Sequence, residues 1–373
     1  MKALPIDYGK LEQYFSSIYK AKVKILNVGE LGAEEKPKEE LKGFGYGVPY
    51  LIEFLVESEM KRVVLETMRP GSFGHEHFSD RAQILIWQHS AFNRLPRHVH
   101  AVDVGAFSSD GYLKSLGNFQ EFFIITKFVE GQLYYQDLER IKAQRTLTKL
   151  DLDRCLSLSD YIAEVHSVKC KNGESLYVRR IRELVGHGEC IMGLTDSYPS
   201  GLEYVDEDFM RDLEKRCIDW RWRIKKKAYR CVQVHGDFHP WNILFREGVD
   251  FTVLDRSRGE WGEPADDVTA MSINYLFYSL QTYGRLYGPF KDLFESFWMN
   301  YLDRTGDDEI LTVVQPFYAW RGLVIASPIW YPNLPLGVRK KLFNFIWSVL
   351  ETERFDLKQV DSYLSEDTYA TEK

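Results

Sequence analysis

The sequence predicts an α+β protein of two unequal parts, a strand-rich N-terminal region followed by a mainly helical remainder. Three observations lead there. The chain has 373 residues, which at roughly 150 residues per domain makes about two domains, each long enough to bury a sizeable core. Residues 1–130 hold short runs rich in β-branched and aromatic side chains, separated by turn residues, as strands do. Beyond residue 131 apolar side chains recur three and four positions apart, the repeat of helices with one buried face.

In chain order, the strand runs are VKILNVGEL (23–31), VPYLIEFLV (48–56), KRVVLETM (61–68), HVHAVDVGAF (98–107) and EFFIITKFV (121–129). SSDGYLKSLGN is expected as the hairpin loop between the last two. Between the third and fourth, HFSDRAQILIWQHSAFNRL reads as a helix with Ser79 as its N-cap and Ala82, Leu85, Ile86 and Trp87 as its apolar side, ending before Pro96. In the second region Leu158, Ile162 and Val165 mark one helix, and Phe209, Leu213, Cys217, Trp220 and Ile224 another. A single segment there returns to strand character. In QVHGDFHPWNILFREGVDFTVLD (233–255), ILF and FTVL flank the turn residues Glu247, Gly248, Val249 and Asp250. From Asp267 to about Leu364 the pattern is helical again, broken by Gly306, Pro328 and the WYPNLP turn, and the tail SEDTYATEK reads as a solvated end.

Composition narrows the function. A content of 45% hydrophobic and 14% aromatic residues excludes disorder for most of the chain. The net charge of -7 lowers the expectation of nucleic-acid binding, which draws its affinity from basic surface and released counterions. Five cysteines stand 14 or more residues apart with no CxxC pair, which suits neither a disulfide framework nor a zinc ribbon and fits a reducing cytoplasm. The N-terminus has no apolar signal-like run and no stretch of 18 apolar residues occurs, so neither export nor a membrane partner is expected.

The strongest chemical signal is His235-Gly236-Asp237-Phe238-His239-Pro240-Trp241-Asn242, with Asp255 thirteen residues beyond Asn242 at the end of an apolar run. Phosphoryl transfer from a nucleotide needs a carboxylate that orients the incoming hydroxyl and takes its proton, and oxygen ligands that hold Mg²⁺ on the phosphates. Asp237 can serve as the base. Asn242 and Asp255 offer a neutral and an anionic oxygen from the two ends of a hairpin, which brings them together.

This segment resembles the aminoglycoside phosphotransferase and choline kinase-like group of small-molecule kinases, whose fold is similar to that of protein kinases. The resemblance covers most of the chain. It rests on HGDFHPWNILF, on GEPADDV within VLDRSRGEWGEPADDV, on YIAEVHSV, and on RLPRHVHAVD and FVEGQ as the approach to a lobe hinge. It implies a protein kinase-like two-lobed fold with a β-rich N-lobe (1–127) that binds nucleotide and a mainly α-helical C-lobe (128–373) that carries the catalytic loop and the acceptor pocket. It further implies ATP and Mg²⁺ as cofactors, Asp237 as catalytic base, His235 as the residue that orients its turn, and Asn242 and Asp255 as metal ligands. Asp267 would steady the catalytic loop, and the backbone from Thr126 to Val129, with Lys127 and Phe128, would hold the adenine ring.

Gly43, Gly45 and Gly47 of GFGYG lie between the first two strand runs, where such kinases place a phosphate-covering loop, since glycine lets backbone N–H groups approach phosphate; an ordinary hairpin turn reads equally well. The chain departs from the pattern in its third strand, RVVLETM. The usual lysine is missing, Glu66 stands near its place, and Lys61 comes too early. Either Glu66 faces Arg81 in a reversed pair or the register slips by a residue or two. Arg69, Arg256 and Arg258 are the candidates for neutralising phosphate charge, the last two following Asp255 directly.

Other conspicuous residues have plainer readings. His75 with His77, and His98 with His100, have a metal-like spacing but no obvious further ligands. His166 reads as a packing residue, and the basic run RWRIKKKAYR (221–230) as the solvated faces of a helix whose buried stripe continues through Trp220 and Ile224. The acidic stretch 203–215 suits either a cationic substrate or a solvated helix start. Trp320, Trp330 and Tyr331 are pocket or core residues. The expectation is therefore a kinase that phosphorylates a hydroxyl group of a small molecule. The alternative is a kinase-like nucleotide-binding or regulatory protein with impaired catalysis. The sequence fixes neither the acceptor nor the oligomeric state.

Overall fold

The computed structural model of the chain describes residues 7–30, 49–71 and 73–365. The chain divides into two compact units, Met1–Thr126 and Lys127–Lys373.

The first unit opens with α1 (Tyr8–Tyr19), capped by the Asp7 carboxylate, which accepts the Lys10 N–H at 2.9 Å. Strands β1 (Val23–Glu30), β2 (Tyr50–Val56) and β3 (Glu59–Leu65) form an antiparallel sheet in that order. The alternation in β2 sends Ile52 and Phe54 to one face, where they pack with Leu11 and Phe15 of α1 and with Val23 and Ile25 of β1. Phe15 stacks on Phe54 with ring centres 4.5 Å apart. Helix α2 (Phe78–Phe92) follows, then a hairpin of β4 (Gly105–Phe107) and β5 (Leu113–Ser115).

The first three predicted strands form close to where they are expected, and the later part of this unit differs. The fourth survives only as β4, because its partner β5 lies inside the segment expected as loop; the turn is tighter, with Ser108 N–H donating to Tyr112 O at 2.8 Å. EFFIITKFV (121–129) forms no strand. Phe123, Ile124 and Ile125 are each more than four-fifths exposed, and no strand among the described residues pairs with them. An apolar β-branched run becomes a strand only where another strand presents its N–H and C=O groups. The start of α2 lies one residue ahead of the expected Ser79 cap, with His77 as N-cap, because the Asp80 carboxylate accepts the His77 N–H at 2.7 Å. Glu66 is exposed, and Arg81 donates instead to the carbonyls of His75, Glu76 and His77 at 2.8, 3.2 and 2.9 Å, so the reversed pair is not made.

The second unit runs β6 (Gln132–Leu133), α3 (Tyr134–Gln144), α4 (Lys149–Ser167), α5 (Glu174–Gly186), α6 (Ile191–Ser197), α7 (Glu207–Ile224), β7 (Val232–Gln233), β8 (Ile243–Phe245), β9 (Phe251–Val253) and β10 (Trp261–Gly262). It closes with α8 (Ala265–Tyr283), α9 (Gly288–Thr305), α10 (Gln315–Ala326) and α11 (Leu336–Glu351). β6, β8 and β9 make one small antiparallel sheet, and β7 with β10 another. The expected stripe of α7 is buried as read, at Phe209, Leu213, Cys217, Trp220 and Ile224, while Trp222 is exposed. Gly306 ends α9 in a left-handed conformation at φ 64.

The core of this unit surrounds α8, in which every residue from Ala265 to Leu280 is buried. Its polar side chains bond back along the helix: Thr269 to Ala265 O, Ser272 to Val268 O and Asn274 to Ala270 O, each at 2.7 Å. Among the described residues no helix is long and apolar enough to cross a membrane.

Candidate active site

β7 delivers the chain into the segment His235–Asn242, and β10 leads into α8, whose first turn carries Asp266 and Asp267. Those two acids organise the loop. Asp267 is wholly buried, and its two carboxylate oxygens accept the N–H groups of His235 and Gly236, both at 2.7 Å. His166 of α4 adds a third hydrogen bond through Nε2 at 3.1 Å, and its Nδ1 meets the Tyr301 hydroxyl at 2.8 Å. A proton on Nε2 satisfies both contacts, with Tyr301 donating to Nδ1. Burial pushes the Asp267 carboxyl up, but the hydrogen bond from His166, with that from the His235 amide, outweighs it and holds the group below its ordinary value. His166, expected as a packing residue, is buried with both ring nitrogens bonded, one of them to this carboxylate.

Gly236 turns the loop at φ 87, and a Cβ there would meet Arg180 Nη2 at 3.3 Å and Arg258 Cβ at 3.4 Å. The turn presents Asp237, which is 8% exposed. One carboxylate oxygen, Oδ1, accepts from Arg321 Nη1 at 2.6 Å. The other, Oδ2, faces His239 Nε2 at 3.5 Å and Arg258 Nη2 at 3.9 Å. Burial alone would push Asp237 up; the His239 hydrogen bond and the charges of Arg321, His239 and Arg258 overcome it and hold the carboxyl far below the usual carboxylate range. At 3.5 Å the His239 contact is long for a hydrogen bond, so Arg321 is the tighter hold.

Arg321, on α10, was not anticipated from the sequence. It is buried, and besides Asp237 it donates through Nη2 to Asp266 Oδ1 at 2.7 Å and to Gly236 O at 3.2 Å. Asp266 in turn accepts from Arg180 of α5 at 2.6 Å, and Arg180 reaches Arg258 O at 2.9 Å. A chain of alternating charge, Arg180 to Asp266 to Arg321 to Asp237, thus joins three helices to the loop. Trp320 is buried beneath two of the guanidinium groups, 3.8 Å from that of Arg321 and 5.0 Å from that of Arg258, and its Nε1 donates to Glu189 O at 2.9 Å.

Asn242 follows the turn. Its Nδ2 donates to Asp237 O at 3.0 Å, which directs the Oδ1 away from the loop, and its own carbonyl accepts the Leu254 N–H at 2.8 Å. With Ile243 paired to Val253 across β8 and β9, Asp255 emerges beside Asn242, exposed and at φ 51. The spacing of thirteen residues is therefore that of a hairpin with both polar groups at its open end. A neutral and an anionic oxygen are a fitting donor pair for Mg²⁺, which keeps several waters and phosphate oxygens as its other ligands. Among the described residues no group of three or more His, Cys, Asp or Glu side chains is placed to hold a metal ion, and the His75/His77 and His98/His100 pairs form no such centre.

The remaining expected residues sit apart. Gly43, Gly45 and Gly47 lie outside the described residues. Lys127 and Phe128 are exposed on a segment without strand or helix. Arg256 is occupied: Nε and Nη2 donate to Val234 O at 3.0 and 2.7 Å, and Nη2 to Glu260 O at 3.2 Å, so it clamps backbone and leaves Arg258 as the arginine facing Asp237.

No protein-family model matches the chain, and no curated protein matches it. The chain is similar to solved structures of small-molecule kinases. An amicoumacin kinase in complex with AMP-PNP and Ca²⁺ is 14% identical over 95% of this chain and 98% of that one, with a TM-score of 0.41. An ethanolamine kinase of Plasmodium vivax is 14% identical over 96% of this chain and 86% of its own, at 0.35. An ADP-bound aminoglycoside phosphotransferase, APH(2'')-Ib, is 14% identical over 93% and 97%, at 0.33.

Proposed function

We propose that the protein is an ATP- and Mg²⁺-dependent phosphotransferase acting on a hydroxyl group of a small molecule. One observation carries this reading. The Asp267 carboxylate straps the His235 and Gly236 amides so that Asp237 is presented on a fixed turn, with Asn242 bonded to its carbonyl and Asp255 at the end of the same hairpin.

Asp237 is ionised at every physiological pH, because its partners hold it far below the ordinary range. So depressed a carboxylate is a weak base. Its free oxygen, Oδ2, accepts a hydrogen bond from the acceptor hydroxyl and fixes the line of attack, while full deprotonation is left until late, as a loose phosphoryl-transfer transition state allows. Asn242 and Asp255 would hold Mg²⁺, which when bound offsets the charge of the phosphates. Arg258, within 3.9 Å of Asp237, would meet the transferring group. Lys127 and Phe128 would border the adenine, and Gly43, Gly45 and Gly47 the phosphates.

One observation favours the reading without turnover. Lys61, the lysine of the third strand, is paired with Glu59 on its own strand. ADP release measured over a panel of hydroxyl compounds separates the two. Asp237→Asn should lower turnover by about 10² to 10⁴-fold and leave MgATP binding in place. Undiminished turnover in that variant removes Asp237 from the chemistry, and MgATP binding with no ADP release from any compound favours the silent protein.

A further inference from the structure

Cys170, in the loop after α4, and Cys231, just ahead of β7, stand opposite each other in a short antiparallel register. Lys169 pairs with Val232, Cys170 N–H donates to Cys231 O at 3.0 Å, and Gln233 N–H donates to Val168 O at 2.9 Å. Residues opposed in this way send their side chains to one face. Gly173, the residue before α5, shows how near the sulfurs are. A Cβ built on it would lie 2.7 Å from Cys170 Sγ and 3.0 Å from Cys231 Sγ, so both thiols crowd the space that a glycine leaves open. Both cysteines are free thiols in this structure.

We propose that this pair is an oxidation site, at which a disulfide oxidant of the glutathione class links Cys170 to Cys231 reversibly. Cys170 is half-buried and Cys231 buried, and burial, with Cys170 beside it, pushes the Cys231 thiol up to about 12, so Cys170 is the sulfur that meets the oxidant. The Cys170 thiolate attacks the S–S bond of the oxidant and expels one thiolate, leaving a mixed disulfide. The Cys231 sulfur then loses its proton, attacks Cys170 Sγ and expels the second thiolate. Two cysteine thiols become one disulfide, the oxidant becomes two thiols, and the two protons released by the cysteines are taken up by the two leaving thiolates. The new bond ties the segment after α4, which carries His166, to the strand that runs into His235.

The test uses the full chain, incubated with oxidised glutathione, blocked at remaining thiols and mapped by mass spectrometry without reduction. The expected product is a cross-linked pair of peptides holding Cys170 and Cys231, lighter than the two reduced peptides by two hydrogens and released by dithiothreitol. Cys170→Ser abolishes it. Gly173→Ala, whose added Cβ crowds both sulfurs, lowers its yield in protein that is still folded by circular dichroism. A folded protein in which Cys170 carries glutathione alone, or joins two chains, while Cys231 stays free after prolonged oxidation overturns the proposal, as does a cross-link yield that Gly173→Ala leaves unchanged.

Discussion

Asp237 gives up one of its two oxygens to Arg321 before any substrate arrives. His239, Arg321 and Arg258 together make it acidic. A carboxylate whose folded-state value lies below its unfolded one adds stability that is present above the unfolded value, near 4, and is lost as the pH falls through the folded value. Asp237 accordingly sets no limit on activity between pH 5 and 8. In Arg321→Met one of the groups that hold the carboxyl down is gone while burial still raises it, so the acid limb of the kcat profile should move to higher pH. A profile from pH 4 to 8 identical to that of the unaltered protein would show that Arg321 does not set the state of Asp237. The same change leaves Asp266 and Asp237 short of a buried partner, and should cost about 3–5 kcal/mol in chemical denaturation. Asp237, Asn242 and Asp255 were legible in the sequence because their spacing is local and tied to a hairpin. Arg321 was not, since it lies 84 residues from Asp237 and a charge pair across that distance leaves no periodic trace. The neighbour of Asp267 in GEPADDV, Asp266, was the one hint that a second buried cation was needed.

Among the elements, the turn at Gly236 depends on a backbone shape that only glycine adopts freely. Gly236→Ala places a Cβ at φ 87 against Arg180 and Arg258, and should cost about 1–3 kcal/mol while disturbing Arg258, which faces Asp237, and Arg180, which holds Asp266. Denaturant unfolding and turnover should fall together; full stability with full turnover would mean that the turn relaxes without strain. Helix α7 and the run at 121–129 mark the two ends of legibility. In α7 the apolar residues repeat at helical spacing, and the buried stripe matches the expectation residue by residue. At 121–129 composition was all there was to read. Hydrophobic, β-branched residues satisfy the side-chain requirement of a strand, yet the backbone requirement is met by a partner elsewhere in the chain, and none pairs there among the described residues. The hairpin of β4 and β5 failed in part for the same reason, with the turn placed too late.

At the scale of the whole molecule the two units differ in how much they bury. Among the described residues the first rests on six buried apolar side chains, Leu11, Phe15, Val23, Ile25, Ile52 and Phe54, whereas the second gathers its helices around α8. Small cores are marginal, so differential scanning calorimetry should resolve two transitions, the weaker one belonging to the first unit. Limited chymotrypsin digestion should cut first among Phe122, Phe123 and Phe128, which are exposed. One transition with no early cut there would mean that the units unfold as one. The net charge of -7 also takes on a local meaning, because Arg180 and Arg321 are paired with Asp266 and Asp237 and leave Arg258 as the nearby arginine less tightly held, 3.9 Å from Asp237.

Helix α8 sets a clock for the site. Asp266 and Asp267 occupy its first turn, and the sixteen residues from Ala265 to Leu280 have no face toward solvent. Amide protons in such a helix exchange with water only when the surrounding fold opens as a whole, so the fixed position of Asp237 should last as long as the native state of that unit itself. Any change at this anchor is therefore felt by the entire core.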